Sequence, residues 1–147
     1  MRSFLRLTII AVLFGISSIA LADDDVSLFD GAGKASAYIA VKDELTIYLW
    51  SGKPVAYLER DSAGGFEVYG FNGKHLGWFV DGVVRDHDGN AACATKDRMR
   101  STEFEPFKAF RQFKPFKSFK EFAPFRPVFT NTWSATACTF LFAGGEK

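Results

Sequence analysis

One polar run of this sequence is dense enough to look catalytic or metal-binding, namely DHDGN at residues 86–90. Carboxylates that alternate before a glycine are typical of the start of a calcium-binding loop. The later ligands and the closing Glu of such a loop are missing, and a tight turn explains the same residues. We therefore expect neither a metal site nor a cofactor.

His75 could act as a general base, because the pKa of histidine lies near neutrality. The sequence offers it no serine in a nucleophile pattern and no identifiable partner carboxylate. A pair of carboxylates for sugar hydrolysis stays open, since sequence alone does not give the separations of Glu44, Glu59, Asp61 and Glu67. We expect a protein that is not an enzyme, with a small hydrolase as one alternative.

Aromatic side chains offer a different kind of site, because exposed rings recognise saccharides and peptides. Our candidate binding residues are His75 and five rings, Tyr48, Trp50, Tyr57, Tyr69 and Trp78. Most of these rings should lie in the core, with at least one facing solvent. The partner would be an unknown protein, a glycan or an envelope surface. The 17 acidic and 18 basic residues nearly cancel, so we expect no nucleic acid.

An export signal is predicted at residues 1–22, ahead of the elements that carry these side chains. A basic head precedes a largely apolar run at 7–20, and the sequence ALA at 20–22 suits a signal peptidase. A membrane anchor is the alternative, but the run is shorter than the roughly 20 residues that cross a bilayer. We expect a periplasmic or secreted protein.

The sequence has two cysteines, Cys93 and Cys138. In an exported protein an even pair indicates a disulfide. Two separate thiols are the alternative, because sequence gives no distance between them.

Residues 27–95 contain four copies of a short pattern, centred on Gly33, Gly52, Gly73 and Gly89. An apolar residue lies five positions before each glycine, and a small residue lies four positions after it: Ala37, Ala56, Gly77 and Cys93. Pairs such as Asn72-Gly73 favour two-residue turns with positive φ at both central positions, so each copy is predicted to be a β-hairpin. Asp81-Gly82 should turn the chain between the third and fourth copies.

The small residues predict how the hairpins are arranged. Strands that converge on an axis leave no room for a large side chain at that position, so we expect an all-β fold with four hairpins around an approximate four-fold axis. This domain would occupy residues 23–101. An ordinary antiparallel meander or small barrel is the alternative.

Three strings resemble the bacterial family called the 4-fold beta flower domain: TIYLWSGKPVAYL at 46–58, VYGFNGKHLGWFVDG at 68–82 and RDHDGN at 85–90. The tract that ends in PVFTNTWS at 127–134 is similar to the segment that follows in such proteins. The resemblance implies radiating hairpins and no established activity, so it assigns no catalytic residue. The fourth copy departs from the pattern, because Ala94 stands where the others have an aromatic residue.

A second repeat occupies residues 102–131, where Phe recurs at every third position from Phe104 to Phe125 and prolines recur every nine residues. An α-helix would spread these rings around all its faces, and Pro115 would break it. The tract is therefore predicted to be an extended helix with three residues per turn, with short helical pieces between prolines as the alternative. Residues 132–147 form a C-terminal segment.

We expect the Phe rings to dock onto the domain, because a free tract would expose more apolar surface than soluble proteins tolerate. The alternative is envelope or membrane-surface contact, in which Phe107 and Phe116 enter the interface while Lys108 and Lys117 meet phosphates. The sequence thus predicts an exported, non-enzymatic binding module of unknown ligand and oligomeric state.

Overall fold

The computed structural model describes residues 24–147, so the export signal predicted at residues 1–22 lies outside the described residues. The described chain forms a closed antiparallel barrel of eight strands, in which each strand pairs with the next and β8 pairs with β1. The strands are β1 (Val26–Phe29), β2 (Ala35–Ala40), β3 (Thr46–Leu49), β4 (Pro54–Arg60), β5 (Phe66–Gly70), β6 (His75–Val80), β7 (Val83–Arg85) and β8 (Ala91–Ala94). A single 3-10 turn (Lys96–Arg98) and a short helix α1 (Cys138–Ala143) complete the regular elements of residues 24–147. No helix in this range has the length and apolar character needed to cross a membrane.

The barrel confirms the prediction of four hairpins around one core. In every hairpin the apolar residue before the turn pairs across the strands with the small residue after it: Leu28 with Ala37, Ile47 with Ala56, Val68 with Gly77, and Val84 with Cys93. The seven of these residues that carry a side chain are fully buried. At Gly77 a Cβ atom would lie 1.9 Å from the carbonyl oxygen of Arg85, so no side chain fits there. Small residues therefore let the hairpins close around the axis.

The hairpin turns differ from the predicted two-residue type. The four repeat glycines have φ between +81° and +88°, but the residue before each has a negative φ. Each glycine N–H donates to the carbonyl three residues earlier, as Gly52 does to Leu49, and the strand register shifts beside the turn. These are three-residue turns with a glycine bulge, which increases the twist that a closed barrel needs. The two-residue turn occurs instead at Asp81-Gly82, where both φ values are positive.

The C-terminal segment closes one end of the barrel. Phe142 and Cys138 of α1 are buried in the core cluster with Val55 and Leu76. Asn72 holds the segment in place through two hydrogen bonds. Its backbone N–H donates to the carbonyl of Gly145, and its side-chain amide donates to the carbonyl of Gly144. The predicted disulfide is present, with 5.5 Å between the Cα atoms of Cys93 and Cys138. It closes a loop that contains the whole Phe tract.

Replacing both Cys93 and Cys138 by Ala is expected to lower the free energy of unfolding by about 4 kcal/mol, since the bond closes a loop of 45 residues and so restricts the unfolded chain. Urea unfolding of the wild type and the double variant measures the loss. Reductant should destabilise the wild type by a similar amount and leave the double variant unchanged. A loss below about 1 kcal/mol would mean that residual contacts in the unfolded double variant restrict this loop nearly as much as the disulfide does.

Candidate functional site

Neighbouring hairpins meet along four outward-facing clefts, each formed by three positions of the repeat. These are the position five residues after one turn glycine and the positions four and two residues before the next. The first two positions lie opposite each other on the last strand of one hairpin and the first strand of the next, as Tyr38 of β2 and Tyr48 of β3 do. They face outward because side chains alternate along a strand and Ala37, beside Tyr38, lies in the core.

The four clefts are not equivalent in composition. The first contains Tyr38, Tyr48 and Trp50, and the second contains Tyr57, Tyr69 and Phe71. The third contains Trp78, Arg85 and His87, and the fourth contains Ala94, Phe29 and Gly31. Aromatic side chains therefore fill the first two clefts, share the third with a cation, and are nearly absent from the fourth.

The structure distributes the predicted binding residues over three clefts instead of one surface. Tyr48 and Trp50 lie in the first cleft, Tyr57 and Tyr69 in the second, and Trp78 beside His75 in the third. Tyr48, Tyr57, Tyr69 and Trp78 are buried, whereas Trp50 is partly exposed. A role for these residues toward an external ligand stays a prediction. Their observed neighbour is the chain's own tract.

Cations of the tract lie over the rings of the first two clefts. In the first, Lys108 Nζ is 4.5 Å from the ring centre of Tyr38, and the Arg111 guanidinium is 5.2 Å from that of Tyr48. In the second, nine residues later, Lys117 lies 4.2 Å from Tyr57 and Lys120 lies 5.2 Å from Tyr69. A cation within about 6 Å of a ring centre is attracted by the negative face of the ring.

The third cleft contains the same contact with the partners exchanged. Arg85 of the barrel occupies the position of Tyr48 and Tyr69, and Phe129 of the tract occupies the position of Arg111 and Lys120. The Arg85 guanidinium lies 5.2 Å from the ring centre of Phe129, the same separation as in the other two clefts. The first three clefts therefore share a contact between one cation and one ring, whichever of barrel and tract supplies each.

Carboxylates of the barrel segment pair with several of these cations and with other cations of the tract. Asp25 binds Lys108 and Arg111, and Asp43 binds Lys114 at 2.6 Å. Further along the tract, Lys120 pairs with Glu59 and Arg126 with Asp61. Residues 23–101 carry 13 acidic and 9 basic groups, and residues 102–147 carry 4 and 7. The negative net charge of the barrel segment and the positive net charge of the tract segment therefore meet in ion pairs between them.

Backbone hydrogen bonds fix the register of the tract. Four tract residues spaced nine apart donate their N–H groups to the carbonyls of the four turn glycines: Glu103 to Gly33, Gln112 to Gly52, Glu121 to Gly73 and Thr130 to Gly89. A Cβ on Gly52 or Gly73 would lie 2.0 Å from a tract carbonyl oxygen. The turn glycines thus serve both the hairpin and the docking of the tract, and the tract encircles the barrel.

The prediction that the Phe rings dock onto the domain is wrong. The eight rings from Phe104 to Phe125 are each 91 to 104% exposed. Residues 101–130 contain neither helix nor strand. The cations and the bonded N–H groups lie at the two positions between successive Phe residues, and these positions face the barrel, so Phe is left facing outward. Of the predicted tract contacts, Lys108 and Lys117 touch the barrel, whereas Phe107 and Phe116 point away. We call the eight exposed rings the Phe collar.

A chain of three titratable groups lies beside the third cleft and was not found from the sequence. His75 Nε2 is 2.5 Å from a carboxylate oxygen of Glu67, and His75 Nδ1 is 2.9 Å from Nε2 of His87. The His75 side chain is completely buried, whereas His87 is exposed. Glu67 and His75 lie eight residues apart on paired strands, so only the strand register brings them together.

The environment sets the protonation of this chain. Burial, with the neighbouring His87, lowers the pKa of His75 to about 4. Burial, with the carboxylate of Asp61, raises the pKa of Glu67 to about 7. Since His75 is neutral near pH 7, its contact with Glu67 is a hydrogen bond and not an ion pair.

The polar run at 86–90 serves the fourth turn. One carboxylate oxygen of Asp86 accepts the N–H groups of Asp88 and Asn90, and the other accepts the hydroxyl of Ser134. Within residues 24–147 no group of three or more His, Cys, Asp or Glu side chains is arranged to hold a metal ion.

Exchanging the partners of the second cleft tests the cation and ring contact. Tyr69→Arg alone places two cations together, and Lys120→Phe alone leaves a ring without a cation, so each should destabilise the protein. The double variant restores the pair in the arrangement of the third cleft. Its loss of unfolding free energy should therefore be smaller than the sum of the two single losses by about 0.5–2 kcal/mol. Urea unfolding of the four proteins measures this coupling. Tyr69→Phe is the control, because it keeps the ring, and purely additive losses would contradict the interpretation.

The Glu67 and His75 pair predicts opposite pH dependences. The folded pKa of His75 lies below its ordinary 6.5, so its stabilisation is lost as pH falls from about 6.5 to 4. The folded pKa of Glu67 lies above its ordinary 4.5, so its stabilisation is lost as pH rises from about 4.5 to 7. Relative to the wild type, Glu67→Gln should therefore gain stability as pH rises through this window, and His75→Gln should lose it. Denaturant unfolding between pH 4 and 8 measures both, and slopes of the same sign would refute the assignment.

Comparison with known proteins agrees with this architecture. A family model described as 4-fold beta flower protein matches residues 26–142, which include all eight strands, the tract and most of α1. No curated protein matches the chain. No solved structure matches it either. Since the match covers most of the sequence, the chain belongs to the 4-fold beta flower protein family.

Proposed function

We propose that this protein is an exported, non-enzymatic interaction module, in which the barrel is a scaffold and the Phe collar binds an apolar surface of a partner. The observation that carries the proposal is the exposure of all eight collar rings while the tract cations face the barrel. Because the cations of the tract contact the barrel, Phe is the group that the tract presents to solvent.

The size of the collar supports binding. A phenylalanine buries roughly 150–250 Å² when it is fully covered, so eight rings could bury on the order of 1,200–2,000 Å². Soluble proteins rarely expose apolar patches above a few hundred Å², and each partner in a stable complex contributes about 800 Å². Part of the collar is therefore enough for a specific complex.

Export is supported by two features of the chain. Residues 1–22 have the basic head, apolar run and small-residue site of a cleaved signal. The Cys93–Cys138 disulfide is typical of proteins that fold in an oxidising space such as the periplasm.

Envelope or membrane-surface association is the second candidate. It requires the tract cations to meet lipid phosphates. Lys108 and Lys114 instead pair with Asp25 and Asp43 of the barrel, and Lys117 lies over Tyr57. These contacts favour an apolar partner over an anionic surface.

A small hydrolase is the third candidate, and it finds less support. His75 and the run at 86–90 would have to line a deep pocket next to a substrate. Four cavities in the described part of the chain are lined by other residues.

Binding to an immobilised phenyl ligand tests the collar. Replacing Phe107, Phe110 and Phe113 by Ser removes three neighbouring rings, and should weaken binding by about tenfold or more because each lost ring removes apolar contact. Phe110→Ser and Phe140→Ser form a matched pair of single variants, since both rings are exposed but Phe140 lies outside the collar. Equal effects of these two, or unchanged binding by the triple variant, would contradict the proposal.

Vesicle binding separates the second candidate. Apolar contact by the collar predicts similar binding to phosphatidylcholine vesicles with and without phosphatidylglycerol. Surface association through cations predicts stronger binding to the anionic vesicles, and a loss of that binding as salt rises.

A further inference from the structure

The fourth cleft differs from the other three because it contains no tract cation among the residues that the structure describes. Ala94 and Gly31 replace the large side chains found elsewhere. The nine-residue register of the tract places Met99 and Thr102 where Lys108 and Arg111 lie in the first cleft. The tract encircles the barrel, and the residues before its start and after its end both lie beside this cleft.

A cavity of about 500 Å³ opens at the fourth cleft. Gly31, Arg98, Arg100, Asn131 and Trp133 are among the residues that line it. A second cavity of about 170 Å³ shares Arg98, Asn131 and Trp133 with the first, and adds Arg85 and Ala94. The segment before the tract and the segment after it therefore supply opposite walls of one site.

Trp133 supplies the aromatic ring of this site. Its backbone is held in place, because Ala91 donates its N–H to Thr132 and accepts the N–H of Ser134. The indole lies against Gly31, where an added Cβ would stand 3.1 Å from Cδ2, so a side chain at residue 31 would displace it. Trp133 is 41% exposed. The site thus presents a fixed indole to solvent at the edge of a cavity.

The charge of the site is positive. Arg98 and Arg100 line the larger cavity and Arg85 lines the smaller one. Arg98 donates its Nε–H to the carbonyl of Asp81 at 2.7 Å and lies 4.0 Å from the carboxylate of Asp97, and Arg100 makes no ion pair within residues 24–147. Nε of Arg85 is buried without a hydrogen-bond partner in the same range. Burial lowers the pKa of Arg85, as expected for a cation whose surroundings do not fully compensate it.

We infer that the fourth cleft is a binding site for an acidic sugar, that is, a sugar ring that carries a carboxylate or a phosphate. Guanidinium groups bind both anions through paired N–H donors. The indole of Trp133 offers one apolar face for a ring, while Asn131 and Ser101 offer donors and acceptors for hydroxyl groups. A single ring in a mainly polar cavity suits a sugar better than an aromatic ligand, which would seek apolar contact on both faces.

Titration of the full-length oxidised protein tests the site with four probes: glucuronate, glucose 6-phosphate, glucose and inorganic phosphate. The readouts are the NMR shifts of the Trp133 indole N–H and the Arg85 Nε–H. At least one of the acidic sugars should shift both signals, and glucose and inorganic phosphate should each bind about tenfold more weakly or worse, since each lacks one half of the recognised group. The two acidic probes distinguish a carboxylate ligand from a phosphate ligand.

Variants assign the binding to the cavity. Arg100→Gln should weaken binding of the preferred acidic sugar about tenfold or more by removing a charged donor. Arg60→Gln is the matched control, because Arg60 lies at the end of β4 and lines neither cavity. Trp133→Phe keeps a smaller ring and should lie between the wild type and Trp133→Ala. The inference is overturned by glucose or inorganic phosphate binding as well as the acidic sugars, by no shift from any probe, or by equal effects of Arg100→Gln and Arg60→Gln.

Discussion

The contact of one cation with one ring in the clefts between hairpins is the interaction on which the rest of this structure depends. Each such contact contributes about 0.5–2 kcal/mol, which is modest, but ion pairs of the tract cations and hydrogen bonds from neighbouring tract residues to the turn glycines hold the same tract. The exchange at Arg85 and Phe129 indicates that this pairing, and not any particular residue, is what the architecture requires. The pairing also decides which edge of the tract faces the barrel.

Symmetry of the barrel and continuity of the chain together explain the exception at the fourth cleft. Four hairpins of the same fold would offer four docking places, but a linear chain that encircles the barrel leaves a gap between the start and the end of the ring it forms. The change from aromatic residues to Ala94 and Gly31 occurs at that opening, and Trp133 enters the space that results. The Cys93–Cys138 bond then joins the last strand of the barrel to the segment that follows the tract.

The sequence predicts those parts of the fold that follow from local or repeated rules. Glycines and small residues at fixed spacing are enough to predict the four hairpins and their common core, as Ala37 and Ala56 demonstrate. The turn type is less predictable, because Asn72-Gly73 suits both a two-residue turn and a bulged three-residue turn. The contact of Glu67 with His75 depends on a register shift in the same hairpin, which composition does not reveal.

The direction of the Phe rings shows where reasoning from burial alone fails. Counting apolar residues predicts that Phe is buried, and the tract itself offers three edges without saying which one docks. The missing information was the cross-strand pairing of Tyr38 with Tyr48 and of Tyr57 with Tyr69, which creates a place for cations. A nine-residue period that recurs alongside four hairpins, together with the opposite net charges of the two segments, is the signal that could have led to it.

Holding the collar in place has a consequence for binding. A free segment of this composition would lose conformational entropy when it bound a partner, at about 1–2 kcal/mol for each ordered residue. In this protein the disulfide, the ion pairs and the N–H groups of Gln112 and Glu121 have already ordered the backbone between the rings. A partner would therefore order the Phe side chains alone, so more of the apolar contact energy remains available as affinity. One three-residue repeat thus performs two tasks, because the edges that fix the tract to the barrel also fix the edge that faces away from it.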